Sequence, residues 1–145
     1  MGDAPFFVEL GAGECTGTPG RECTTRLLRE RGWAGLAVDA EHETETVTRA
    51  TLASGTVAQL LRGHGVPRDL DLLVVDLDYG TYWVLRAALR AGFRPAVVDV
   101  EINPVLWPEL RLTVPALNRL LAMPPPKETV RPVSIMVELE LRVKV

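Results

Sequence analysis

Four short stretches of the chain are almost continuously apolar: residues 6–10 (Phe-Phe-Val-Glu-Leu), 36–38, 70–75 and 96–100. A strand with one wet face alternates apolar and polar positions, whereas a parallel strand covered by helices on both faces does not. Helical signals lie between these runs. Residues 21–31 carry Leu27 and Leu28 among charges, with Gly32 placed as a C-terminal cap. Residues 56–62 place Val57, Leu60 and Leu61 on one helical face, with Gly63 after them. Residues 81–91 do the same with Val84, Leu85, Ala88 and Leu89, closed by Gly92. Pro67 and Pro95 stand ahead of the third and fourth runs, where the backbone must leave the helical region. This alternation predicts an α/β domain of Rossmann-like type, a mostly parallel sheet flanked by helices and joined by right-handed crossovers.

Two segments depart from the pattern. Residues 40–55, with threonines at 44, 46, 48 and 51, leave room for a helix or a strand but hardly for both. Beyond Asn103, prolines at 104, 108, 115 and 124–126 predict loops and one short helix over residues 116–122. The tail then alternates, with Val133, Ile135, Val137, Leu139, Leu141, Val143 and Val145 on one face and a largely polar opposite face. It reads as a long half-buried strand, either the antiparallel edge of the sheet or a surface for pairing two copies as a homodimer. The expected organisation is one domain over residues 1–145, with a ligand-binding core over 1–103, Pro-rich loops over 104–132 and a terminal strand over 133–145.

Length and charge narrow the function classes. At 145 residues the chain is long enough to bury a core without covalent staples. A net charge of −3 offers no electrostatic footprint for nucleic acid and leaves a small-molecule substrate open. No apolar run approaches a membrane span, and the first ten residues carry no basic leader region, so a cytoplasmic protein is expected. Cys15 and Cys23 lack the spacing and histidine neighbours of a zinc site, so no metal is assigned and both are expected as reduced thiols.

The chemistry-bearing residues gather at the ends of the predicted strands. After Val8, Glu9 and Leu10 come Gly11 and Gly13, which let the backbone turn sharply and approach a ligand. Position 16 is Thr16 where a dinucleotide fingerprint has a third glycine. The Glu-x-Gly-x-Gly form instead suits a ligand with a cationic amino-acid end. Asp39 ends the second strand, where an acid can accept both hydroxyls of a ribose, with Glu41 as a rival. Asp76 and Asp78 follow the third run, and side chains two apart lie on one face, so both carboxylates could point into the crevice at the strand tips. Glu101 and Asn103 end the fourth and border the same crevice. An Asp-x-Asp also occurs in metal-dependent glycosyl transfer, without other support here. Asn103-Pro104 lacks the second proline and the aromatic of an amino-methylation box. Trp33, Trp83 and Trp107 read as core or rim packing, and His42 and His64 as surface residues without partners.

The segments at residues 7–13 and 32–39, then 65–78, 82–85, 94–98 and 101–103, resemble FkbM-type class I S-adenosylmethionine-dependent methyltransferases in order and spacing. The resemblance covers about residues 6 to 115, ending with Leu112-Thr113-Val114-Pro115. It implies S-adenosylmethionine as cofactor, with Glu9, Gly11 and Gly13 at its methionine end, Asp39 at its ribose and Asp76 facing it from the next strand. Asp78 would begin the loop that reaches the substrate, with Glu101 and Asn103 as further catalytic candidates. The implied reaction is methyl transfer to a small molecule, which depends on alignment of nucleophile and methyl. Three local sequences differ from the family: Asp78-Tyr79-Gly80-Thr81-Tyr82, Glu14-Cys15 and Cys23-Thr24-Thr25. Little space remains for a strand after Asp39. These departures keep a second expectation open, a catalytically inactive shortened relative that works as a binding or interaction module.

Overall fold

A computed structural model describes residues 4–18, 20, 23–78 and 80–101. The described residues belong to one compact unit, Met1–Glu101. Asn103, Trp107, the Pro-rich segment 104–132 with its helix at 116–122, the strand at 133–145 and the homodimer assigned to it lie outside the described residues.

Five strands, β1 (Phe6–Leu10), β2 (Ala34–Asp39), β3 (Val47–Arg49), β4 (Leu72–Val75) and β5 (Val97–Val100), form one sheet in the order β3-β2-β1-β4-β5. Every pairing among the described residues is parallel. Three helices, α1 (Arg26–Glu30), α2 (Val57–Gly63) and α3 (Thr81–Arg90), flank it, and the fold is the Rossmann-like α/β arrangement expected. Phe7, Val8 and Leu10 of β1 and Leu73, Val74 and Val75 of β4 are buried, as continuous apolar runs require. Val57 and Leu61 of α2 and Val84, Leu85 and Ala88 of α3 supply the apolar helical faces. Each fully buried Val or Leu contributes roughly 1.5–3 kcal/mol of hydrophobic stabilisation.

The three helices of the described residues end in the same way. At α1, Gly32 adopts a left-handed φ of 86°, its N–H donates to the Arg29 carbonyl, and the Trp33 N–H donates to Leu28. At α3, Gly92 (φ 92°) and Phe93 repeat the pattern on Leu89 and Ala88. At α2 the capping glycine is Gly65 (φ 67°), not Gly63, which stays helical; Gly65 and Val66 donate to Arg62 and Leu61. This Schellman arrangement satisfies carbonyls that a helix end leaves open. It also turns the chain back toward the sheet.

Residues 40–55 hold a strand and no helix, as room for only one of the two predicts, although little space was expected for that strand. A third strand does exist, β3, and it pairs parallel to β2 with Ala37 opposite Val47. No helix lies in the connection. A parallel crossover usually needs a dozen or more residues, but β3 is only three residues long, so the chain has to retrace little height before pairing. Thr44 organises the entry: its N–H donates to the Val47 carbonyl and its hydroxyl accepts from the Thr46 and Val47 amides.

Helix α1 is shorter than the predicted span, and none of its residues is buried. Its Arg29 guanidinium lies 5.1 Å from the centre of the Phe7 ring. The opposite register partner of Phe7 is Gly35, where a Cβ would sit 2.5 Å from that ring. Among the described residues no helix is long and apolar enough to cross a membrane. Trp33 and Trp83 are half-buried, and Trp83 meets Tyr82 edge-on with centroids 4.9 Å apart.

Candidate functional site

Because all five strands run parallel, their C-terminal ends meet along one edge of the sheet. The chain direction of strand addition reverses between β1 and β4, and ligands of open α/β sheets occupy the crevice at such a switch point. Residues 9–13, 39–42, 76–78 and 101 all reach this edge.

The turn after β1 is shaped by close backbone approach. Gly11 has φ 91°, and a Cβ there would stand 1.7 Å from the Asp76 carbonyl oxygen. Only glycine fits, since the Asp76 N–H also donates to the Leu10 carbonyl and holds the two strand ends together. The Gly11 and Ala12 amides both donate to the Val38 carbonyl, 2.9 and 3.1 Å away, which draws the turn toward β2. Gly13 differs from Gly11: its φ is 58°, and a Cβ there would meet nothing within 4 Å. It borders open space.

Glu9 is the one charge in β1, and it is 3% exposed. Its Oε1 accepts the Thr24 N–H at 2.8 Å, and its Oε2 accepts the Thr25 N–H at 3.0 Å and the Thr25 hydroxyl. A buried carboxylate needs such partners. Glu9 therefore anchors the far end of the loop that begins at Gly11 and leads into α1. Its oxygens point into the fold, toward the loop's own backbone.

Asp39 is the second anchor. Its Oδ2 accepts the Gly13 N–H at 2.9 Å, joining the β1 turn to the tip of β2. Its Oδ1 accepts the Glu41 N–H at 2.8 Å, the His42 N–H at 2.9 Å and the His42 ring at Nδ1, also 2.9 Å away. Burial is the largest single influence on this carboxyl and pushes its pKa up. The hydrogen bonds from Glu41, His42 and Gly13 outweigh it together and hold the pKa below the usual aspartate value. His42, expected to lack partners, is thus a ligand of Asp39, and its Nε2 lies 3.9 Å from Glu14. Nothing in the strand pattern could have revealed this, because the contact depends on the turn at residues 40–42. Glu41 is exposed and contributes its amide, while His64 is exposed as expected.

Between the two anchors, Cys15 and Cys23 are joined as a disulfide, with Cα atoms 4.7 Å apart. This overturns the expectation of reduced thiols. Eight positions of sequence were read as too far for a metal motif, but the loop folds back so that Cys23 packs against Ala12, Cys15, Ala37 and Val47. The left-handed backbone of Cys15 (φ 49°) makes that reversal possible.

On the other side of the switch point, β4 ends at Val75, so Asp76 and Asp78 are not strand residues and the two-residue periodicity does not apply. Asp78 takes a left-handed φ of 49° in a turn closed by the Gly80 N–H on the Leu77 carbonyl. The Thr81 hydroxyl accepts the Leu77 N–H. The acids nevertheless gather. Burial, a side-chain hydrogen bond with Asp76 and the negative charges of Asp76 and Asp78 raise Glu101 to a pKa of about 6, against a donated hydrogen bond from the Asp78 backbone N–H. The Glu101 N–H donates to Val75, which keeps β5 in register with β4 there. Among the described residues no group of His, Cys, Asp or Glu side chains is arranged to hold a metal ion.

The arrangement thus has three parts: an open position at Gly13, an anchored β2 tip at Asp39 with His42, and the carboxyl of Glu101, raised in pKa beside Asp76 and Asp78. No protein-family model, curated protein or solved structure matches the chain.

Proposed function

We propose that the chain is a shortened FkbM-like, S-adenosylmethionine-dependent methyltransferase acting on a small-molecule acceptor. The observation that carries this reading is the 2.9 Å bond from the Gly13 amide to Asp39. It brings the bend after β1 and the tip of β2 to one place at the switch point of a β3-β2-β1-β4-β5 sheet. The cofactor would supply a sulfonium methyl group for direct displacement by the acceptor's nucleophile.

The fit of the residues to that group is uneven, and it refines their roles. Gly13 leaves the backbone bare at the turn, and the open space beside it is where the methionine portion would lie, while Gly11 lets the turn close against the Asp76 carbonyl. Asp39 stands at the nucleoside pole. Glu9 acts one step removed, as a positioning residue that fixes the loop at Thr24 and Thr25. Asp76, Asp78 and Glu101 border the acceptor side, where a carboxyl titrating near neutrality can take the proton that the acceptor loses.

A specific observation favours a second reading, that of a non-catalytic binding module. The carboxylates of Glu9 and Asp39 are both engaged by the protein's own groups. Calorimetric titration of the full chain with S-adenosylmethionine and S-adenosylhomocysteine separates the two. Micromolar binding that Gly13→Ala weakens, with an unchanged circular-dichroism spectrum, supports the enzyme. An absence of heat for both ligands at millimolar concentration rejects it in favour of the binding module.

A further inference from the structure

We propose that the Cys15–Cys23 disulfide is a redox switch on the turn after β1: a dithiol that reduces it releases the turn and weakens the ligand held there. For the identity of that ligand the proposal rests on the methyl-donor reading above. Each cysteine stands beside one anchor of the loop. Cys15 lies just after Gly13, whose amide donates to Asp39 at 2.9 Å, and Cys23 immediately precedes Thr24 and Thr25, which donate to Glu9. The two anchors are unequal. Glu9 is buried and accepts two amides and a hydroxyl, whereas the bond from Gly13 is only partly buried and starts beside open space.

The disulfide joins the weaker anchor to the stronger one. It holds the two Cα atoms 4.7 Å apart, where a chain of eight positions can extend to about 28 Å. Gly17, Thr18 and Gly20, which lie between the cysteines, are exposed and offer little buried surface in its place. Opening a ring of this size frees chain entropy equivalent to a factor of roughly 70 in an equilibrium constant, which caps the effect. Both cysteines also pack beside Ala12, Ala37 and Val47, and the five strands lie outside the loop. Reduction therefore loosens the turn and leaves the sheet intact.

Cys23 is half-buried and Cys15 only 8% exposed, so the Cys23 sulfur is the one open to attack. A thiolate of the dithiol bonds to Sγ of Cys23, the Cys15–Cys23 bond breaks, and the Cys15 thiolate leaves and takes up a proton. The second thiol of the reductant, as its thiolate, displaces Cys23, which takes up a proton in turn. The protein gains two electrons and two protons, and the reductant departs as a cyclic disulfide. Exchange with a small-molecule disulfide runs the cycle backwards.

The experiment compares the oxidised full chain with the same chain in dithiothreitol, and both with Cys15→Ser/Cys23→Ser, which holds the open state without a reductant. Amide hydrogen exchange by NMR reads the ligand-free protein, and calorimetry reads S-adenosylhomocysteine binding. Reduction is expected to speed exchange at Gly13 about tenfold, within the entropic cap, and to change Thr25 less than twofold. Affinity should fall by a similar factor and recover on reoxidation with oxidised glutathione. The serine variant should match the reduced form with or without dithiothreitol. Equal Gly13 exchange in the two redox states overturns the proposal, as do equal affinities or a Thr25 amide released as far as Gly13. Loss of the native circular-dichroism spectrum on reduction also overturns it, because the bridge would then be a staple of the whole fold. If neither redox state binds S-adenosylhomocysteine, the methyl-donor reading fails, and Gly13 exchange still decides whether the bridge governs the turn.

Discussion

Replacing Glu9 tests whether a charge in the middle of a buried strand is an internal brace or a group waiting for a ligand. Its two oxygens accept two backbone amides and one hydroxyl, and the Thr25 donors are buried. In Glu9→Gln the amide oxygen can serve only one side. The threonine hydroxyl can rotate to accept from the new amide, so one backbone donor loses its partner. An unsatisfied buried donor costs about 1–3 kcal/mol, which places this variant near 2 kcal/mol. Glu9→Ala strips both amides of their acceptor, about 4 kcal/mol at the same cost per donor, and removes one buried methylene at roughly 0.8 kcal/mol, for a total near 5 kcal/mol. Urea unfolding of the ligand-free full chain, followed by circular dichroism, measures both as shifts in midpoint at constant slope. The order wild type, Gln, Ala in stability is the expected result. If both variants lie within about 0.5 kcal/mol of wild type, as a solvent-facing group would, the brace does not exist.

Other expectations follow from the same geometry. Gly11→Ala should fail to fold or lose more than about 3 kcal/mol, since its methyl would overlap the Asp76 carbonyl; Gly13→Ala should cost only about 1–2 kcal/mol, the ordinary cost of a left-handed backbone, and differential melting temperatures decide between them. Asp39 has a lowered pKa, so its stabilising contribution is present above the unfolded-state pKa and is lost as pH falls through the folded value; Asp39→Asn should flatten the acid limb of a stability-versus-pH curve, and an unchanged limb would contradict the network. Glu101 is raised, so its contribution has the opposite sign: it is complete below about 4.5 and declines as pH rises through about 6, and Glu101→Gln should abolish that decline in unfolding experiments between pH 4 and 7. The oxidised protein should show no free thiol on denaturation and two after reduction, and reduction should remove about 2.5 kcal/mol for a loop spanning eight positions. Two reactive thiols without reductant would refute the pairing.

The strands were legible because burial leaves its mark on composition. Phe6–Leu10 and Leu72–Val75 read directly as apolar runs, and Gly32 and Gly92 as helix stops; Val97–Val100 read the same way, although its residues alternate between exposed and half-buried. Val47–Arg49 was not legible, for it is too short to carry a period and its entry relies on a threonine turn. Gly63 was mistaken for Gly65 because two glycines lie two apart and only the backbone path shows which one turns left-handed. The two-residue spacing of Asp76 and Asp78 had meaning only if the strand ran on, and it stops at Val75.

From the residues alone came the α/β class, the parallel sheet and the placing of Glu9, Gly11, Gly13, Asp39, Asp76, Asp78 and Glu101 at strand ends, since periodicity and turn chemistry are local properties. The partners of those side chains were a tertiary matter. Glu9 reaches Thr24 and Thr25 across 15 and 16 positions, Asp39 reaches back 26 to Gly13, and Cys15 finds Cys23 across a reversed loop. Such contacts arise only when separate loops are brought to one edge of the sheet. Whether a carboxylate there faces a ligand or its own backbone is then decided by which donors the folded loops present to it.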